Sequence, residues 1–107
     1  MPVTRKRRVA PNDTLLEYYL GGKRQPPILK EEIRIDGDGK VTRYSLAYID
    51  PSLSPLDNGR VCGYDNAHGK HHRHFMGTET SFEFAGYEKL LERFEREVRQ
   101  LRRTDGS

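Results

Sequence analysis

Tyr64-Asp65-Asn66-Ala67-His68-Gly69-Lys70-His71-His72-Arg73-His74 holds every histidine of a 107-residue chain within its last seven positions. Packing alone asks for no such cluster. The stretch reads as a hairpin, with Gly69-Lys70 as a two-residue loop and Gly69 supplying the positive φ that a type II′ turn needs at its first central position. That register pairs His68 with His71, Ala67 with His72, Asn66 with Arg73, Asp65 with His74 and Tyr64 with Phe75. Alternation then sorts the side chains into two faces. One carries Tyr64, Asn66, His68, His71, Arg73 and Phe75; the other carries Asp65, Ala67, His72 and His74. A slip of one residue would exchange the faces.

Working outward, two strands precede the hairpin. Ile28 to Asp36 and Val41 to Ile49 flank a Gly37-Asp38-Gly39 turn, and Tyr44, Leu46 and Tyr48 fall on one side of the second strand. A loop from Asp50 to Gly59 follows, then strands at Arg60 to Ala67 and His71 to Met76. Thr80 to Phe84 extends the edge or leads on. Tyr87, Leu90, Leu91, Phe94, Val98 and Leu101 repeat at helical spacing and predict a helix from Tyr87 to Arg103 with one buried stripe. Towards the N-terminus, Asn12 or Asp13 is placed to cap a short helix from Thr14 to Leu20, stopped by Gly21-Gly22. The fold class is therefore α+β: an antiparallel sheet of four to five strands, a C-terminal helix on one face, and a short N-terminal helix. Residues 1–12 form a basic flexible arm, 13–103 a single domain and 104–107 a tail.

Composition limits the function. The chain carries 19 Lys and Arg against 16 Asp and Glu, for a net charge of +3. That mild excess suits nucleic acid without requiring it. One cysteine, Cys62, excludes an internal disulfide and fits a reducing, cytoplasmic setting. No stretch is apolar enough to span a bilayer, and the start lacks the apolar run of a secretory signal.

Imidazoles titrate near neutrality, so two of them can share proton removal and proton donation at a phosphodiester. His68, His71, His72 and His74 are the candidate acid and base residues, with Asp65 to orient one of them. Lys70 and Arg73 stand ready to neutralise phosphate, as do Arg5, Lys6, Arg7 and Arg8 in the arm. Tyr64 offers a stacking surface, and Asn66 a backbone or imidazole anchor. This scheme needs no cofactor. An alternative uses Asp65, His72 and His74 as ligands for a divalent metal. A second alternative is a non-catalytic module that binds nucleic acid or protein.

The run from Val61 through Tyr64-Asp65-Asn66-Ala67-His68-Gly69-Lys70-His71-His72-Arg73-His74 to Phe75, followed by Gly77 and an Arg/Glu-rich helix, resembles the TumE family of bacterial toxin–antitoxin toxins. The likeness extends from about Ile28 to Arg103. It implies a small cytoplasmic toxin that arrests bacterial growth and is neutralised by a helix-turn-helix antitoxin. By analogy with other small basic toxins, the expected activity is that of an endoribonuclease, an RNA-binding hydrolase. Group transfer and a homodimer stay open at this level.

Overall fold

The computed structural model describes residues 3–10 and 13–104, with side chains for residues 13–103. Seven antiparallel strands form one sheet in simple sequence order. They are β1 (Val3–Ala10), β2 (Asp13–Tyr19), β3 (Ile28–Ile35), β4 (Val41–Ile49), β5 (Arg60–Asp65), β6 (His72–Phe75) and β7 (Thr78–Ser81), and among the described residues one α-helix, α1 (Tyr87–Thr104), follows them. The class is α+β as expected. The sheet is larger than the four to five strands expected: β2 to β7 make six, and β1 adds a seventh.

The N-terminal helix does not form. Its residues are β2, paired to β3 from Asp13↔Arg34 to Tyr19↔Ile28. Leu15, Leu16, Tyr18 and Tyr19 fit a helical stripe, but they also suit a pleated surface. The neighbouring edge of β3 settles the choice by supplying a full ladder. A bidentate Arg34–Asp13 pair, at 2.7 and 3.0 Å, closes its far end. β1 pairs with β2 in turn, setting the backbone of Arg5 opposite Glu17 and Arg7 opposite Leu15. The side chains of Arg5, Lys6, Arg7 and Arg8 lie outside the described residues.

The core lies between the second half of the sheet and α1. Tyr44, Leu46 and Tyr48 from β4 are buried with Val61, Cys62 and Tyr64 from β5. Leu90, Phe94 and Val98 from α1 complete the cluster, with Tyr87, Leu91 and Leu101 packed around it. Spacing of four along a helix puts three side chains on one stripe, so α1 lies with that stripe on β4 and β5. Among the described residues, no helix covers the opposite face of the sheet.

The histidine hairpin keeps its faces but changes its register. Asp65 pairs with His72, Gly63 with His74, Tyr64 with Arg73 and Cys62 with Phe75. Every pair is two residues away from the expected one. The physical reason is the connection: residues 66–71 form a six-residue loop with a 3-10 turn at Ala67–Gly69, in place of a two-residue II′ turn. His68 (φ 60°) and Gly69 (φ 75°) both take left-handed backbone there. A slip of two preserves the alternation, so Asp65, His72 and His74 still share one face and Tyr64, Arg73 and Phe75 the other.

Candidate active site on the uncovered face of the sheet

Asp65 ends β5 and faces away from α1. One of its oxygens accepts the Ala67 backbone N–H at 3.1 Å, which starts the loop. The other accepts from Nε2 of His74 at 2.7 Å. The contact is diagonal across the ladder, since His74 itself pairs with Gly63. Glycine at 63 serves the neighbouring strand instead: a Cβ there would meet the Leu46 carbonyl oxygen of β4 at 2.8 Å. His74 is 9% exposed.

With Nε2 donating to Asp65, the neutral His74 ring keeps an unprotonated Nδ1. That nitrogen looks towards Glu79 of β7, 3.7 Å away, and Nδ1 of His72 looks at the same carboxylate from 3.8 Å. The two imidazole centroids are 6.4 Å apart. Two imidazoles and two carboxylates thus form one cluster on the uncovered face. Among the described residues, no three His, Cys, Asp or Glu side chains converge in a geometry that would hold a metal ion. Asp65, His72 and His74 share the face, but the Asp65–His74 bond occupies one ligand atom from each. A pocket of about 450 Å³ opens beside Asp65, walled by Asp13, Leu15, Glu32, Arg34, Arg43 and Ser45.

The other two histidines stand apart. His71 turns to the α1 side, its Nδ1 2.7 Å from the Tyr44 hydroxyl and its ring stacked on Phe84 at 4.3 Å. Burial, and then the charge of Asp65, pushes the Tyr44 phenol well above its ordinary value, so its proton stays in the bond to His71. His68 is exposed at the loop tip beside Lys70. Asn66 holds backbone: its side-chain oxygen accepts the Tyr44 N–H at 3.0 Å and its amide donates to the Thr42 carbonyl at 3.0 Å. It continues the β4–β5 ladder by one step.

These differences predict a contrast in stability. His71→Ala leaves the Tyr44 hydroxyl without its partner and removes a ring from a stack, and should cost about 1–3 kcal/mol. His68→Asn at a solvated left-handed position should stay within about 0.5 kcal/mol of the parent. Urea unfolding of both variants checks the pair.

Tyr64 and Arg73 were expected to meet substrate; both face α1. Tyr64 is fully buried and donates to Glu97 of α1. Arg73 donates to the same carboxylate at 2.7 Å and to the Tyr64 hydroxyl at 3.2 Å, with its guanidinium 4.7 Å from the centre of the Phe75 ring. Burial pushes the Glu97 carboxyl up, but the hydrogen bonds from Tyr64 and Arg73 and the Arg73 charge outweigh it and hold the group below its ordinary value. Burial, reinforced by Glu97, pushes the Cys62 thiol up to about 12. Such a thiol is inert. Glu97 and Glu79 went unnoticed in the sequence. Glu97 looks like part of the solvated charge of the helix, although it sits one turn from Phe94 and next to Val98, at the border of the buried stripe.

The class is a small antiparallel sheet backed by one helix, with His72, His74, Asp65 and Glu79 gathered on the face away from that helix. A profile of the family described as Toxin TumE matches residues 28–102. The chain belongs to the TumE toxin family. The match takes in β3 through most of α1 and the whole histidine hairpin. No curated protein and no solved structure matches the chain. Among the described residues, no helix is long and apolar enough to cross a membrane.

Proposed function

We propose that this toxin arrests growth in the cytoplasm by cutting RNA with the imidazole pair of the uncovered face, and that a helix-turn-helix antitoxin neutralises it. The observation that carries the reading is the 2.7 Å bond from His74 to Asp65. It supports the reading because a neutral ring that donates from Nε2 to Asp65 has Nδ1 free to act as the base of an acid–base mechanism. His74 takes the proton of a ribose 2′-hydroxyl. The 2′-oxygen attacks phosphorus, and the bond to the 5′-oxygen breaks as His72 delivers a proton to it. The products are a 2′,3′-cyclic phosphate and a 5′-hydroxyl. The second step of such a reaction, opening of the cyclic phosphate by water, reverses the two roles.

Glu79 is 59% exposed on the edge strand and is the anion an incoming phosphate would displace. Cations for the backbone come from Lys70 and Arg43, and from Arg5, Lys6, Arg7 and Arg8 at the other edge of the sheet. Residues 13–103 act as the toxin domain, and the basic N-terminal segment lengthens its grip on RNA.

The test is incubation of the purified protein with total RNA, with and without EDTA, followed by mapping of the ends. Cyclic phosphate ends formed equally with EDTA are the expected result. Ends bearing a 3′-hydroxyl and lost in EDTA would instead assign Asp65, His72 and His74 to a metal-activated water. Growth arrest without any cleavage would make the protein a toxin that acts by contact alone.

A further inference from the structure

Three near-parallel rings meet at the end of the sheet. Tyr44 and His71 lie side by side, joined by the 2.7 Å hydroxyl–Nδ1 bond, with ring planes 17° apart. Phe84, from the connection between β7 and α1, lies over both, 4.3 Å from His71 at 6° and 5.5 Å from Tyr44 at 13°. Phe82 anchors the same connection from below, edge-on to Tyr64 at 5.1 Å. Among the described residues Phe84 and Leu56 are the large apolar side chains left exposed, Phe84 at 37%.

We propose that the outer face of Phe84 stacks a nucleobase of single-stranded RNA next to the bond that is cut; the inference rests on the RNA-cleaving reading and extends it. The ring is pre-aligned. Its inner face is fixed by the Tyr44–His71 pair, so stacking costs little side-chain entropy. The patch is the size of one ring. Its flanking residues Glu83, Ala85 and Gly86 are charged or small, and a stable protein contact needs about 800 Å² from each partner. A polar edge lies beside the stack as well: among the described residues Nε2 of His71 has no hydrogen-bond partner, and Lys70 is the next residue. Position also fits. His71 directly precedes His72, and neighbours on an extended chain point to opposite faces. A strand of RNA bent over this rim meets the stacking ring on one side and the imidazole pair on the other.

The chain contains no tryptophan, so Phe84→Trp installs a single reporter on the ledge. In a Phe84→Trp, His74→Gln double variant, titration with a 2′-O-methyl octanucleotide should quench the emission, while the same concentration of AMP should not. Phe84→Ala should raise KM for an RNA substrate about tenfold, as loss of one stacked base does, with kcat changed less than twofold; Phe84→Tyr should restore KM. An unchanged KM in Phe84→Ala, from a protein that does cleave RNA, overturns the ledge. So does emission that ignores the octanucleotide and responds to the antitoxin, which would make Phe84 a protein contact. Quenching by the octanucleotide in a protein that never cleaves RNA would uphold the ledge and sink the catalytic reading instead.

Discussion

His74→Gln should abolish growth arrest and lower RNA cleavage by about a thousandfold, within the range that a positioned acid or base contributes. Glutamine is the informative replacement. Its amide reaches roughly the place of Nε2, so Asp65 keeps a donor and the end of β5 keeps its anchor. What is lost is the second ring nitrogen, the one that faces Glu79 and His72. The variant should therefore melt close to the parent while failing in cleavage. His74→Ala is less clean, because it strands a partly buried carboxylate and costs about 1–3 kcal/mol of stability as well. His72→Ala should match the glutamine variant in rate, since the proposed mechanism gives each imidazole one half of the same proton transfer. Asp65→Asn should lose less, about ten- to a hundredfold, because it reverses the tautomer preference without removing the ring. The measurement is single-turnover cleavage of an RNA oligomer beside circular dichroism of each variant. A folded His74→Gln protein that keeps a tenth of the parental rate or more would remove His74 from the chemistry.

The site was legible in sequence to the extent that parity rules it. Asp65, His72 and His74 were placed on one face from alternation, and the face survives although the register is off by two, because any even slip leaves it unchanged. The loop was not legible. His68 and Gly69 both take left-handed backbone, and a histidine does not announce that as a second glycine would. Long-range pairing explains the other misses. Whether residues 13–19 coil or extend depends on the edge that β3 offers, a contact across 21 positions in the Arg34–Asp13 pair, and no local pattern records it. The core was easier. Tyr44, Leu46 and Tyr48 alternate, and Leu90, Phe94 and Val98 repeat at four, so each pattern names its buried side without knowledge of its partner.

Glu97→Ala should unfold about 10–20 °C below the parent. Arg73 sits between the two imidazole-bearing residues of β6, and its guanidinium reaches through to α1, where Glu97 also accepts from the buried Tyr64 hydroxyl. The side chains of the pair are 23% and 19% exposed. Removing one partner of a fully buried pair costs about 3–5 kcal/mol; the partial exposure here brings that to about 2–3 kcal/mol, and a chain of this length loses about 4–8 °C per kcal/mol. The pH dependence has a definite sign. The folded Glu97 carboxyl sits below its ordinary value of 4.5. Its stabilisation is thus full above about pH 4.5 and is lost as the pH falls through the lower folded value. The parent and Glu97→Ala curves should therefore converge on acidification. Arg73→Ala combined with Glu97→Ala should recover part of the loss, because no charge is then left buried alone. Thermal melts between pH 3 and 7 decide it. If Glu97→Ala melts within 2 °C of the parent at neutral pH, the helix does not anchor the histidine strand through this carboxylate, and the rigidity of the imidazole pair must come from the Asp65 side alone.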